Sequence, residues 1–319
     1  MLRKCPKHLI NILECWFDKQ FTCVKWGNSY SRLVNLSNGV RQGSILSPIL
    51  FSVYTNDLLE KLHNSNLGCH VKFMSFNALM YADDLLLLSI TLSDLQKMLQ
   101  ICSSELELLD LCINVKKSCC IRIGKHFNSD VINLTIGDTK IPWENKLLYL
   151  GIYFLAGKHL KCDFHLRKAK FFGSLNSLLE KIGTSSPLSF TLSLVSSKCF
   201  PILTYGLESV KLFKAQLSNL CYVYNAIFSK LFSTFDQKVI EQCQFYTGIL
   251  PLNYKLDLMR LNFLLNLKKE HVSPANIIFS FFGRNDIDII CTKYHIVHES
   301  DNYSCKIWKV FTDQIHLFN

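Results

Sequence analysis

The sequence lacks any uncharged apolar stretch approaching the roughly 18 to 20 residues that a membrane-spanning helix requires. Its longest candidates are broken by Lys, Asp, Asn or Pro, so a soluble chain with no membrane partner is expected. No cleavable apolar run follows the opening Met1-Leu-Arg-Lys-Cys-Pro-Lys-His, which argues against secretion and for an intracellular location, with nucleus and cytoplasm both open. In a reducing compartment the 14 cysteines read as reduced, mostly buried small hydrophobes, and the sequons at Asn35, Asn133 and Asn302 as incidental. Also missing are a nucleophile-elbow serine, a Walker-type glycine-rich loop and a dinucleotide fingerprint, which removes three common catalytic designs.

What is present is a core-forming composition. The 319 residues are 49% hydrophobic and carry 35 Lys+Arg against 25 Asp+Glu, a formal charge of +10. That length fills one large domain or two ordinary ones without disulfide staples. The positive excess favours a polyanionic partner, although it also serves plain solubility.

Along the chain, Leu9, Ile12, Leu13, Trp16 and Phe17 predict a short helix, and residues 21–26 and 30–34 predict strands joined at Gly27-Asn28. A flexible loop, Gly39-Val-Arg-Gln-Gly43, leads to Ser47-Pro48, an expected N-cap and first-turn proline for a helix ending near Asn64. Two apolar stretches between Phe73 and Ile90 flank Ala82-Asp83-Asp84 and suggest a buried hairpin whose turn carries the only charges. Ser93-Asp-Leu-Gln96 reads as a capping box before a helix with Leu95, Leu99, Cys102, Leu106 and Leu109 on one face. Strand-like segments follow at 119–124, 131–136 and 147–154, so the first half is expected to be one mixed layer of sheet and helices. Beyond Gly157 the periods turn helical at 159–182, 187–200, 217–232 and 255–269, while the last forty residues show no clear period.

Tyr81-Ala-Asp83-Asp84 is the most unusual local feature. Adjacent carboxylates at the tip of an apolar hairpin repel each other and resist desolvation. Magnesium, which takes carboxylate oxygens and keeps room for phosphate, suits such a pair and points to phosphoryl or nucleotidyl transfer. A solvated turn is the competing reading. Cys291-x-x-x-His295-x-x-His298, with Cys305 later, does not repeat a structural-zinc spacing, and no zinc is expected.

The order of segments is more specific than any one of them. Gly39-Val-Arg-Gln-Gly-Ser44 and Leu46-Ser-Pro48-Ile-Leu-Phe51 precede the Asp pair; Ile113-Asn-Val-Lys-Lys117-Ser118, Tyr149-Leu-Gly151 and Pro201-Ile-Leu-Thr-Tyr-Gly206 follow it. This series resembles the reverse transcriptase domain of non-LTR (LINE-like) retrotransposons over roughly residues 1–250. The resemblance implies an α+β fold with a partial right-hand polymerase palm over 1–157, an α-helical thumb or connection region over 158–250, and a region of unassigned role over 251–319. It implies an RNA-directed DNA polymerase that uses RNA template, DNA primer and deoxynucleoside triphosphates with a two-ion Mg2+ site. Asp83 and Asp84 would be the metal-binding catalytic carboxylates, with Tyr81 beside the primer end. Gln42 and Gly43 would approach nucleotide and template, Arg41 would make a phosphate or structural contact, and Lys117 would be a mobile cation near the pyrophosphate, with Lys116 the competing assignment. Lys158, Lys161, Arg167, Lys168 and Lys170 would give the thumb a basic face, which reads equally as solvated surface.

One part of the family pattern is missing. A third carboxylate belongs on a strand before the Arg-Gln-Gly loop, and the only acids ahead of Gly39, Glu14 and Asp18, stand in no matching motif. The chain is therefore expected to be N-terminally truncated, catalytically incomplete and of little or no polymerase activity alone. The alternative is a non-catalytic nucleic-acid-binding remnant.

Overall fold

The computed structural model describes residues 5–36, 39–71, 74–129, 132–183, 186–269, 274–297 and 302–316. Phe73, Val131 and His298 of the expectations above lie outside them. The chain forms two compact units, Met1–Cys120 with Val131–Trp143, and Ile121–Asp130 with Glu144–Asn319. Both mix helices with small sheets, as expected of an α+β chain.

The first unit opens with α1 (Lys7–Asp18), followed by two nested strand pairs: β1 (Phe21–Thr22) with β4 (Val34–Asn35), and β2 (Lys25–Trp26) with β3 (Ser29–Tyr30). Gly27 takes φ +60° at the inner turn, a backbone region that a Cβ disfavours. The elements were legible in the pattern, but they bury little. α1 contains no buried residue, and Ile12, Trp26 and Leu33 stand 60%, 85% and 69% exposed.

The unit's core begins further on, where α2 (Ser47–Asn64) and α3 (Leu92–Leu108) pack with the hairpin of β7 (Ala78–Tyr81) and β8 (Asp84–Leu87). Leu58, Leu62, Ala78, Met98, Cys102 and Leu106 are its buried members. A second, smaller cluster joins Leu99 to Leu134 and Ile141, around the hairpin of β9 (Thr135–Ile136) and β10 (Thr139–Lys140). A short pair, β5 (His70–Val71) and β6 (Met74–Ser75), lies between α2 and β7 in sequence.

Several local expectations are corrected here. Ser47 is the first residue of α2 rather than its cap, because its hydroxyl donates to the Arg41 carbonyl, 2.7 Å away. The cap of α3 is Thr91, whose Oγ1 accepts from the Asp94 N–H at 3.1 Å. Gln96 is not part of a capping box; it exchanges two hydrogen bonds with the Thr135 backbone, at 2.8 and 2.9 Å, and so pins β9 to α3. The expected single mixed layer is instead a set of separate two- and three-stranded antiparallel sheets among the described residues, and residues 119–124 contribute only isolated bridges.

In the second unit, β11 (Lys146–Tyr149), β12 (Ile152–Leu155) and β13 (Lys161–Asp163) form an antiparallel sheet. The helical period expected from 159 therefore begins only with α4 (His165–Ile182). Next come α5 (Leu188–Leu194) and α6 (Phe200–Thr204), joined by a π turn over Val195–Cys199. Pro201 explains that turn: it has no N–H for the regular ladder, and the Phe200 N–H reaches back to the Val195 carbonyl. The helices α7 (Lys214–Phe232), α8 (Gln237–Tyr246) and α9 (Leu252–Lys269) complete the larger core. There Phe200 stacks on Tyr224 at 4.2 Å between ring centroids, and Tyr224 donates to the Leu250 carbonyl at 3.0 Å.

α9 bridges two clusters, giving Leu252 and Leu256 to one and Tyr254 and Leu261 to the other. The second cluster also takes Ile290, Tyr294, Ile307 and Phe311 from α11 (Arg284–Lys293), its C-terminal flank, and α12 (Tyr303–His316). α10 (Pro274–Ile278) precedes α11. The tail without a clear period is thus helical. Of the 14 cysteines, all free, only Cys102, Cys162 and Cys199 are buried, and five are exposed, against the expectation that most would be buried.

Candidate metal-binding hairpin

The ladder of β7 and β8 pairs Ala78 with Leu87, Leu79 with Leu86, Met80 with Leu85, and Tyr81 with Asp84. Ala82 and Asp83 are left to make the turn, and Ala82 adopts φ +50°, an uncommon left-handed conformation for a residue with a side chain. The hairpin is half-buried rather than buried: Ala78 lies in the core, Leu85–Leu87 are intermediate, and residues 81–84 are exposed. Tyr81 is 66% exposed. Neither the Asp83 nor the Asp84 carboxylate has a hydrogen-bond or ion-pair partner among the described residues. Two adjacent hard-oxygen groups therefore stand at the tip with their ligating capacity unspent.

The base of the hairpin is held by Asn77, which is fully buried. Its Nδ2 donates to the Leu62 carbonyl at 2.6 Å and the Leu67 carbonyl at 3.0 Å, and its Oδ1 lies 3.0 Å from His63 Nδ1. The Leu88 N–H closes on the Asn77 carbonyl at 2.7 Å. Beside it Gly68 sits at φ +83°, where a Cβ would come within 2.6 Å of both Asn77 Cβ and the Leu88 carbonyl oxygen. A buried asparagine satisfied at three points fixes the end of α2 and the start of β7 together. Nothing in the sequence pattern marked Asn77; the only available signal was a polar residue ahead of an apolar strand.

The loop before α2 carries Arg41, Gln42 and Gly43, all exposed. Gly43 takes φ +79° with nothing within 4 Å of the Cβ position, so the backbone conformation is what demands glycine there. Ser47 anchors the loop through the Arg41 carbonyl, and Arg41 also lines a shallow open depression with Trp16, Phe17 and Leu50. Lys116 and Lys117 lie exposed in a turn organised by the Asn114 carbonyl, which accepts from the Lys117 N–H at 3.0 Å and from Ser118 Oγ at 3.0 Å. That turn is rooted in the same core as the hairpin, since Ile113 packs with Leu85 and Leu87 in one cluster and Val115 with Leu87 in the other. The hairpin, the lysine-bearing turn and the C-terminal half of α2 thus share one core, while the Arg41–Gly43 loop lies at the other end of α2.

A hard divalent cation suits the pair's chemistry, although two cations need more oxygen ligands than two carboxylates supply. Among the described residues no three His, Cys, Asp or Glu side chains converge to complete a site. Glu14 and Asp18 lie exposed in α1.

Residues 3–154 match the family described as reverse transcriptase (RNA-dependent DNA polymerase). This stretch is a reverse transcriptase domain. A retrovirus-related Pol polyprotein from the type-2 retrotransposable element R2DM of Drosophila melanogaster is 32% identical over 168 residues, covering 50% of this chain and 16% of that protein. That likeness agrees with the resemblance to non-LTR retrotransposon reverse transcriptases noted in the sequence, and the chain spans about one sixth of the relative's length. The matched stretch includes the Arg-Gln-Gly loop, the Asp hairpin, the 113–118 turn and Tyr149-Leu-Gly151. No helix among the described residues is long and apolar enough to cross a membrane. In the cysteine–histidine set of the C-terminal region, His298 lies outside the described residues.

The basic stretch expected of a thumb is only partly surface. Lys158, Lys161 and Lys170 are exposed. Lys168 donates to Asn219 Oδ1 at 3.0 Å, and Arg167 turns inward to the carbonyls of Tyr205 and Gly151. Arg167, expected on a face that either tracks phosphate or is merely solvated, instead spends its planar fork on backbone oxygens.

Proposed function

We propose that this reverse transcriptase domain is the palm portion of an RNA-directed DNA polymerase, spanning residues 1–157, with residues 158–250 as a thumb-like helical region. The observation that carries the reading is the Tyr81–Asp84 hairpin: two exposed carboxylates without internal partners, at a turn inside the matched stretch. Asp83 and Asp84 would hold magnesium, which supplies alignment of a primer hydroxyl with the nucleotide α-phosphate and neutralisation of the leaving pyrophosphate. Tyr81 flanks the primer end. Gln42 and Gly43 offer backbone and amide groups to nucleotide and template, and Arg41 adds a cation on the same loop. Lys117, or its neighbour Lys116, places an ammonium where pyrophosphate charge develops.

The same geometry supports catalytic incompleteness of this polypeptide alone. Two carboxylates leave two cations under-coordinated, which weakens both affinity and alignment. The alternative reading, a nucleic-acid-binding remnant without turnover, draws on the exposed Lys158, Lys161 and Lys170, which remain available to phosphate.

The test is primer extension on an RNA template beside equilibrium binding of the RNA–DNA hybrid. The expected result is salt-sensitive hybrid binding that Asp83→Asn leaves within about twofold, with no magnesium-dependent extension. Extension that Asp83→Asn abolishes would refute incompleteness. Absence of any salt-dependent affinity would remove the nucleic-acid reading altogether.

A further inference from the structure

The outer part of the first unit leaves a run of large apolar side chains in solvent. Trp16 on α1, Phe21 on β1, Trp26 on β2 and Tyr30 on β3 are 40%, 52%, 85% and 64% exposed, and Ile12, Leu33, Ile45 and Ile49 are each more than half exposed. At ~150–250 Å² per aromatic side chain, these four aromatics alone leave roughly 350–600 Å² in water, as much as the largest apolar patch of a typical monomer. The aliphatic residues bring the total to on the order of 800 Å², the share that one partner gives to a standard interface. A two-stranded ribbon such as β1–β4, exposed on both faces, is also only marginally stable by itself.

These residues belong to one connected surface. The Leu36 N–H donates to the Gln20 carbonyl at 2.8 Å, so the ribbon springs from the end of α1. Trp16, Phe17, Leu46 and Leu50 line one depression, which sets α1 against the start of α2. Tyr54 Oη then donates to the Leu109 carbonyl at 2.7 Å and joins α2 to the end of α3. The two ends of the surface differ in sign. Between Lys19 and Asn56 the sequence holds no Asp or Glu, and Lys19, Lys25 and Arg32 are exposed. Between Ser103 and Val115 it holds no Lys or Arg, and Glu107 and Asp110 are exposed beside Leu108, itself 76% exposed.

We propose that this surface is the interface of a two-fold homodimer, in which the cationic ribbon of each copy meets the acidic end of α3 on the other and the apolar side chains between them form the core. A two-fold axis makes every contact twice, so a surface positive at one end and negative at the other complements itself. An anionic lipid surface or an acidic peptide would suit the ribbon and be repelled by Glu107 and Asp110; a second copy suits both ends. The apolar core supplies the affinity, and the charges set the register.

Sedimentation equilibrium of the full chain tests the dimer. The mass is expected to rise from 36.8 kDa towards twice that value across about 1–50 µM. Ile49→Glu, within the surface, should raise the dissociation constant about 30-fold or more, the effect of losing a buried anchor. Ile90→Glu changes a still more exposed isoleucine ahead of α3, at the end away from Glu107, and should leave the constant within about twofold. Reversing the ribbon (Lys25→Glu with Arg32→Glu) or neutralising and reversing the α3 end (Glu107→Lys with Asp110→Asn) should each weaken association about tenfold. Asparagine at 110 keeps the left-handed backbone found there, φ +51°. Mixing the two variants should restore association to within about threefold of wild type, since each then meets its complement. A monomeric mass throughout, growth beyond the dimer, equal effects of Ile49→Glu and Ile90→Glu, or no recovery in the mixture would each overturn the inference. Co-sedimentation of the monomer with phosphatidylserine vesicles would do the same and give the face to lipid.

Discussion

Asn77→Ala is the substitution most directly tied to the candidate site, because Asn77 joins the end of α2 to the start of the hairpin that displays Asp83 and Asp84. Alanine keeps the Cβ, so the close approach of Gly68 is unaffected and only the amide is lost. The Leu62 carbonyl still accepts from the Ser65 N–H and Oγ, at 3.2 and 2.7 Å, so its loss is that of one ordinary bond, about 0.5–1.5 kcal/mol. The Leu67 carbonyl has no other acceptor bond among the described residues, and leaving it unpaired in a part-buried place costs about 1–3 kcal/mol. His63 retains access to water and contributes little. The sum is about 2–4 kcal/mol, focused on the first unit. Amide exchange of residues 78–88 should therefore accelerate by about 30-fold or more. Asn56→Ala serves as the comparison, since its amide bonds Glu60 Oε1 at 2.6 Å in an exposed i, i+4 pair expected to be worth about 0.2–0.5 kcal/mol. If the two substitutions gave equal, small changes in the hairpin, Asn77 would not be its anchor.

Two further outcomes follow from titrating groups. The His165 N–H holds the Asp163 carboxyl below the ordinary carboxylate range against the opposing effect of burial, with Lys146 adding to the lowering. Its contribution to stability is therefore present above the unfolded value and is lost as pH falls through the lower folded one, so Asp163→Asn should lower the urea midpoint at neutral pH, leave it nearly unaffected in acid, and so flatten the acid limb of the profile below about pH 4; an unchanged acid limb would contradict this. Cys102 is pushed up to about 12 by burial, so brief native-state alkylation at pH 8 should label Cys5, Cys15, Cys23, Cys112 and Cys305 while sparing Cys102, Cys162 and Cys199, and mass spectrometry showing early modification of Cys102 would contradict the burial described.

Local rules were legible wherever the physics is local. The Gly27-Asn28 turn, the end of α2 at Asn64 and the Asp-bearing hairpin follow from turn chemistry and apolar spacing over a few residues. Local rules failed wherever a side chain found a distant partner. Ser47 was free to cap α2 but bonds Arg41; Gln96 fits a capping box but joins Thr135, thirty-nine positions on. Helix α9 follows from the helical period at 255–269 and starts only three residues earlier, at Leu252, but that it serves two cores at once is visible only in the packing.

For the site, the chain's order of motifs determined the family and named the carboxylates, since the types and spacing of those residues are written in one dimension. Tertiary structure alone decided that Asp83 and Asp84 stand exposed and unengaged, that Asn77 holds their hairpin, and that Arg167 faces backbone carbonyls instead of solvent. The reason is that burial, hydrogen-bond satisfaction and the direction of a charged side chain are properties of groups brought together from far apart in sequence, and no periodicity along the chain encodes them.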